Sequence, residues 1–190
     1  MKKFLAVLIL IFTFQTSSWA DDISDFEIEE MSIGNSVLDY FSKEKITSSI
    51  KETPYDDDEF YDVEVDSDGG TYDKYGFSFK KFDNKYLIYS IKGVNYLQFD
   101  ECIKKKKLAI NDIKKVLKNI KEESYTSNFN NKFGKSFAEV TDLIIEGGSI
   151  RVWCDNFDKN FEESKNWEDS LNIDISSKEY LFWLDNKAYQ

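Results

Sequence analysis

The longest periodic signal in the chain lies between residues 100 and 121. Ile103, Ile110, Ile113, Leu117 and Ile120 recur there at intervals of three, four and seven, with Ala109 and Val116 beside them. That spacing gathers the apolar side chains on one face of a helix. It leaves the lysines at 104–107, with Lys114, Lys115, Lys118 and Lys121, to the solvated face. Elsewhere the period is nearer two. Phe26 and Ile28 alternate, then Met31 and Ile33 continue one residue out of phase, which predicts a strand over 25–33 with a bulge near Glu29 and Glu30. Ser36 followed by Asp39 reads as the capped start of a short helix through Val37, Leu38, Tyr40, Phe41 and Ile46. Residues 75–91 read as a hairpin turning at Asp83 and Asn84, its second strand apolar on both faces and hence central. A polar loop is expected over 122–135.

Two further strands, 140–145 and 149–156, flank Gly147 and Gly148, with Ile150, Val152 and Cys154 on one face. Residues 167–175 supply another, with Leu171, Ile173 and Ile175 inward. Ser176 and Glu179 then mark the start of a last helix carrying Tyr180, Leu181, Trp183 and Leu184. The order β-α-β-β-α-β-β-β-α predicts an α+β fold, a mostly antiparallel sheet of about six strands with helices packed on one face.

Residues 1–20 stand apart from this pattern. Lys2 and Lys3 precede an apolar run over 4–14, and Ser18-Trp19-Ala20 places small residues where a signal peptidase reads. The expected product is cleaved before Asp21, leaving a single domain over 21–190 in the periplasm or outside the cell. The run is too short for a mature membrane anchor, which needs about 20 apolar residues. No transmembrane segment is expected once it is removed.

Charge narrows the partners. The whole chain has 25 basic and 36 acidic residues, and losing Lys2 and Lys3 takes the formal charge to −13. Nucleic acid, whose phosphates need clustered cations, is a poor fit. The sequence holds no histidine, one arginine (Arg151) and one proline (Pro54). The usual general base and the commonest transition-metal ligand are therefore missing. Two cysteines cannot build a structural zinc site unaided. An oxidising destination favours a disulfide between Cys102 and Cys154, tying the long helix to the inward side of the sheet, over two separate buried thiols.

The stretch YDVEVDSDGGTYD, residues 61–73, is the clearest candidate for a ligand site. Read as a twelve-residue calcium loop from Glu64, it offers Asp66, Asp68 and a correctly placed Gly69. The twelfth position is Tyr75, where a bidentate Glu is required, and the flanks alternate with period two instead of forming helices. No metal or other cofactor is assigned. The surviving alternative is a loose calcium site on Asp66, Asp68 and Asp73, against the simpler reading of a solvated acidic segment. Gly134-Lys135-Ser136 lacks the upstream glycine of a phosphate loop, since Phe129 occupies that place. The run KKKKLAINDIKKVLK reads as the solvated side of a helix facing the acidic segment, with an anionic surface as its alternative. No catalytic residue is nominated. A carboxylate pair could serve a hydrolase, and Trp153, Trp167 and Trp183 would suit sugar stacking, but alternating aromatics are more often core.

The stretches DDISDFEIEEMSIGNSVLDYFS, FSFKKFDNKYLIYSIKGV, FDECIKKK, GKSFAEVTDLII and NIDISSKEYLFWLDNKAY occur in that order. They resemble an uncharacterised family of small exported bacterial proteins, over nearly the whole chain after residue 20. Similar proteins usually carry Gly where this one has Glu30. The resemblance implies a signal peptide, one α+β domain and paired cysteines, and no activity. The expectation is a small exported, non-enzymatic binding or envelope-associated protein whose partner is an envelope component or another protein. A carboxylate-based hydrolase or carbohydrate-binding protein is the alternative.

Overall fold

The computed structural model describes residues 22–50, 55–117, 119–129, 134–159 and 167–190. The expected leader, Pro54 and Lys118 fall outside them. Seven strands form one sheet: β1 (Phe60–Asp66), β2 (Lys74–Lys80), β3 (Ser90–Tyr96), β4 (Lys121–Asn128), β5 (Phe137–Ile145), β6 (Gly148–Asn156) and β7 (Ser170–Ser177). Their order across the sheet is β1-β2-β3-β7-β6-β5-β4. Every neighbouring pair is antiparallel. The chain lays down one meander and crosses to the far edge through helix α2 (Phe99–Val116). It then returns strand by strand until β7 pairs with β3 and joins the two halves. Helix α1 (Lys43–Ser48) precedes the sheet and α3 (Lys178–Asn186) follows it. The architecture is α+β, and no helix among the described residues is long and apolar enough to cross a membrane.

Alternation gives the sheet two unlike faces. Val63, Val65, Phe77, Phe79, Ile91, Ile150, Val152, Leu171 and Ile175 are buried on one face and form the main core. Helix α2 lies there, anchored by the disulfide between Cys102 and Cys154, whose Cα atoms are 5.9 Å apart. Helix α3 does not join it. Its Tyr180 and Trp183 form a smaller core with Phe60 and Ala188, and Phe60 projects from the opposite face. The expectation of helices on one face is thus corrected. The cap of α3 is also one residue later than expected, since the Ser177 hydroxyl, not that of Ser176, accepts from the Tyr180 amide at 3.2 Å.

The segment 25–33 is not a strand. Ile28 and Met31 exchange backbone hydrogen bonds of 2.9 and 3.1 Å across a two-residue turn whose central residues, Glu29 and Glu30, both have positive φ. Two positive φ values in a two-residue loop are the signature of a type I′ turn. The phase slip marks that turn and not a bulge. The helix expected from Ser36 is split. Ser36 caps a single 3-10 turn (Val37–Asp39), and Ser42 caps α1, which carries the buried Ile46. The predicted hairpin loses the start of its second strand, because residues 81–89 form a connection and β3 begins only at Ser90. Two strands were hidden in segments read as polar. In β1, Val63 and Val65 are buried while the acids face the other way. In β4, KEESYTSN buries almost nothing and is held through its backbone ladder to β5.

Candidate functional site

The second face of the sheet is polar across most of its width. Register sets Glu64 opposite Gly76, Gly76 opposite Lys92, Lys92 opposite Asp174, Asp174 opposite Arg151 and Arg151 opposite Asp142. One glycine makes this row work. A Cβ on Gly76 would stand 3.0 Å from Lys92 Cε, so its absence lets the lysine reach across β2 to Glu64, Nζ to Oε1 3.5 Å. In the next row, Ser78 Oγ donates to Asp62 Oδ1 at 2.7 Å, and the Tyr55 hydroxyl donates to Asp62 Oδ2 at 2.6 Å.

Two carboxyl groups in the middle of this face are wired into the sheet. Ser176 Oγ donates to Asp174 Oδ1 at 2.5 Å and Ser90 Oγ to Asp174 Oδ2 at 3.0 Å. Asp155 Oδ2 accepts from Asn172 Nδ2 at 2.9 Å, Trp153 Nε1 at 3.2 Å and Ser170 Oγ at 3.2 Å. Its Oδ1 takes no donor among the described residues. Burial pushes the pKa of both groups up, against the opposing pull of their donors and of Lys92. Burial likewise raises the Tyr180 hydroxyl to about 12, and it raises Tyr55 as well.

Two hollows lie along this face. One, of roughly 210 Å³, is walled by Tyr55 and Tyr180. The other, of roughly 340 Å³, is walled by Tyr96, Phe157 and Trp167. Both are lined by Glu64 and Lys92, so they adjoin across that ion pair as the two halves of a divided trough. The trough offers an acceptor at Asp155, the paired charges of Glu64 and Lys92, and aromatic walls at either end. This mixture suits a neutral ligand that both donates and accepts, with a flat face to stack.

The residues singled out from sequence are dispersed. Asp66 sits at the end of β1 with Lys74 Nζ 3.8 Å away. Asp68 pairs with Lys45 at 2.5 Å, and Asp73 Oδ2 accepts the Tyr96 amide at 2.8 Å. Each has its own protein partner, and no group of potential metal ligands occurs among the described residues. Among the described residues the acidic segment is answered by Lys45, Lys74, Lys80, Lys81, Lys92 and Lys187, and not by α2. The lysines of α2 instead pair with Glu101, Asp112 and Glu122. Trp153 and Trp167 do border the trough, whereas Trp183 is core. Sequence reasoning missed Lys92, Asp155, Asn172 and Asp174. A signal existed: Asn172, Asp174 and Ser176 alternate with Leu171, Ile173 and Ile175 in a strand that turned out to be central. A polar face on a central strand is worth asking about. Compared with protein-family models, curated proteins and solved structures, the chain matches none.

Proposed function

We propose that the protein is a small exported, non-enzymatic binding protein whose trough takes a neutral, hydroxyl-rich ligand such as a short saccharide. The observation that carries this reading is the pre-arrangement of Asp155. Three donors hold its Oδ2, so Oδ1 is oriented before any ligand arrives and costs little to order on binding. Trp167, 46 % exposed, gives the stacking face at the rim. The mixed charge of the trough argues against a strongly ionic ligand.

The test is a titration of the intrinsic tryptophan fluorescence with neutral oligosaccharides. A saturable change is expected, weakened about tenfold by Asp155→Ala, as for loss of a hydrogen bond to a charged group. Lack of response across a panel of neutral glycans would refute the reading. The raised pKa values of Asp155 and Asp174 favour a second reading, a carboxylate-based hydrolase. Chromatography of glycans after long incubation separates the two, since cleavage abolished by Asp174→Asn would support the hydrolase.

A further inference from the structure

On the side of the sheet that carries α2, away from the trough, a cleft of roughly 740 Å³ opens between α2 and strands β4 and β5. Small-molecule sites typically span about 300–1,000 Å³. Phe99, Ile103 and Ile110 line its helix side, and Phe137 meets Phe99 edge to face with ring centroids 5.3 Å apart. Val140 adds to this apolar wall, and the remaining lining is polar, with the Glu122 and Glu139 carboxylates on the strand side engaged by Lys114 and Thr126.

One charge inside this cleft lacks a counter-ion. Lys106, grouped with its neighbours as solvated, in fact stands between Ile103 and Ile110 on the buried stripe of α2 and is only 7 % exposed. Its ammonium donates at 2.6 Å to the backbone carbonyl oxygen of Glu139. A lysine ammonium has three donors, and among the described residues no carboxylate lies within ion-pair distance of this one. The Glu139 carboxylate is engaged by Thr126 Oγ1 at 2.8 Å. Burial pushes the pKa of the Lys106 amine down, and the more distant Glu139 and Asp142 carboxylates only partly oppose it. Lys107 lines the same cleft and makes no ion pair among the described residues, whereas Lys114 at the mouth is held by Glu122 at 2.5 Å.

We propose that this cleft binds a single-chain anionic amphiphile, its carboxylate head meeting Lys106 and Lys107 and its acyl chain lying along Ile103, Ile110 and Phe99. The head supplies the missing counter-charge, and the chain covers the half-buried isoleucines. The occupant is a free molecule and not a bilayer, because a headgroup held in a membrane would have to leave it to reach a recessed ammonium. The inference is independent of the trough.

The experiment is calorimetric titration of the intact mature protein with decanoate, alongside decan-1-ol and sedimentation with phosphatidylglycerol vesicles. One-to-one binding of decanoate is expected, with decan-1-ol at least about tenfold weaker and no protein sedimenting with vesicles. Lys106→Met should weaken decanoate about tenfold while leaving the fold intact, since it removes a buried charge at nearly constant volume. If that variant does not fold, the exposed Lys107→Gln carries the test, with an expected loss of about threefold. No binding of decanoate, equal binding of acid and alcohol, unchanged affinity in the folded lysine variant, or binding to vesicles alone would each overturn the proposal.

Discussion

Arg151 grips Asp142 across the β5–β6 ladder with two hydrogen bonds, Nε to Oδ1 at 2.6 Å and Nη2 to Oδ2 at 3.0 Å. The Asp142 side chain is 12 % exposed and that of Arg151 45 %. The pair therefore lies between a surface bridge and a buried one. A lysine at 151 keeps the charge but cannot make the fork, and Asp142 would be left half-satisfied. Arg151→Lys is expected to destabilise the fold by about 1–2 kcal/mol, discounted from the fully buried case because the guanidinium reaches solvent. Urea denaturation at neutral pH measures it. A loss near zero would mean that the pair behaves as an ordinary surface bridge.

The disulfide closes a loop of 52 residues in sequence between α2 and β6. Loop-closure entropy over that separation corresponds to about 4 kcal/mol, most of it arising from the unfolded chain. Cys102 and Cys154 are both fully buried, so replacing them adds a packing loss. The double variant Cys102→Ala/Cys154→Ala should unfold at markedly lower urea, by about 3–5 kcal/mol in all. Alkylation of the unreduced, denatured protein should modify no thiol, and any labelling at these positions would contradict the pairing.

Residues with strong periodicity were legible. Helix α2, though it ends at Val116 and not near residue 121, and strands β5 to β7 follow from spacing, because each buries a continuous apolar stripe, whereas the cysteine link was read from the oxidising destination. Strand β4 was not, because as an edge it needs only its backbone, and its side chains carry no apolar pattern. Strand β1 was obscured by its own acids, Asp62, Glu64 and Asp66, which face the polar side while Val63 and Val65 are buried. Lys106 illustrates a different limit. Helical spacing itself sets Lys106 three residues after Ile103 and four before Ile110, within the apolar stripe, and grouping the lysines at 104–107 as one solvated block hid it. The trough depends on side chains from five strands brought into line by register, which no local pattern encodes.

Glu30, at φ 68, occupies a backbone region that favours glycine. Its neighbour Glu29, at φ 50, is different because its carboxylate has work in the fold. It accepts the Tyr75 hydroxyl and the Thr71 amide, which holds its pKa below the usual carboxylate range. Relief of backbone strain therefore stands alone at residue 30 and is offset at residue 29. Glu30→Gly should stabilise by about 0.5–1 kcal/mol, and Glu29→Gly should destabilise by about 1 kcal/mol. Thermal unfolding of both variants compares them directly, and equal shifts of one sign would show that the contacts of Glu29 contribute nothing.

Asp174 links the trough to the pH dependence of folding. Burial raises its pKa, and the donors Ser90 and Ser176 with the cations Lys92 and Arg151 oppose that rise. Tyr180 of α3 lines the same hollow. A raised folded-state pKa means that the fold favours the protonated carboxyl. The contribution is fully present below the unfolded value, about 3.9, and is lost as pH rises through the folded value. Glu29 and Asp57, whose pKa values are lowered, act the other way and lose their contribution as the solution is acidified. An asparagine at 174 resembles the protonated form at every pH, so it should leave the Glu29 and Asp57 behaviour intact and remove one slope. The stability of Asp174→Asn relative to the native protein should therefore rise as pH is raised from about 4 and level off once the folded-state carboxyl has ionised. Urea midpoints of the two proteins across that range measure it. Parallel curves would mean that the carboxyl is ionised equally in the folded and unfolded chains, and that the row from Glu64 to Asp142 carries its charges without penalty.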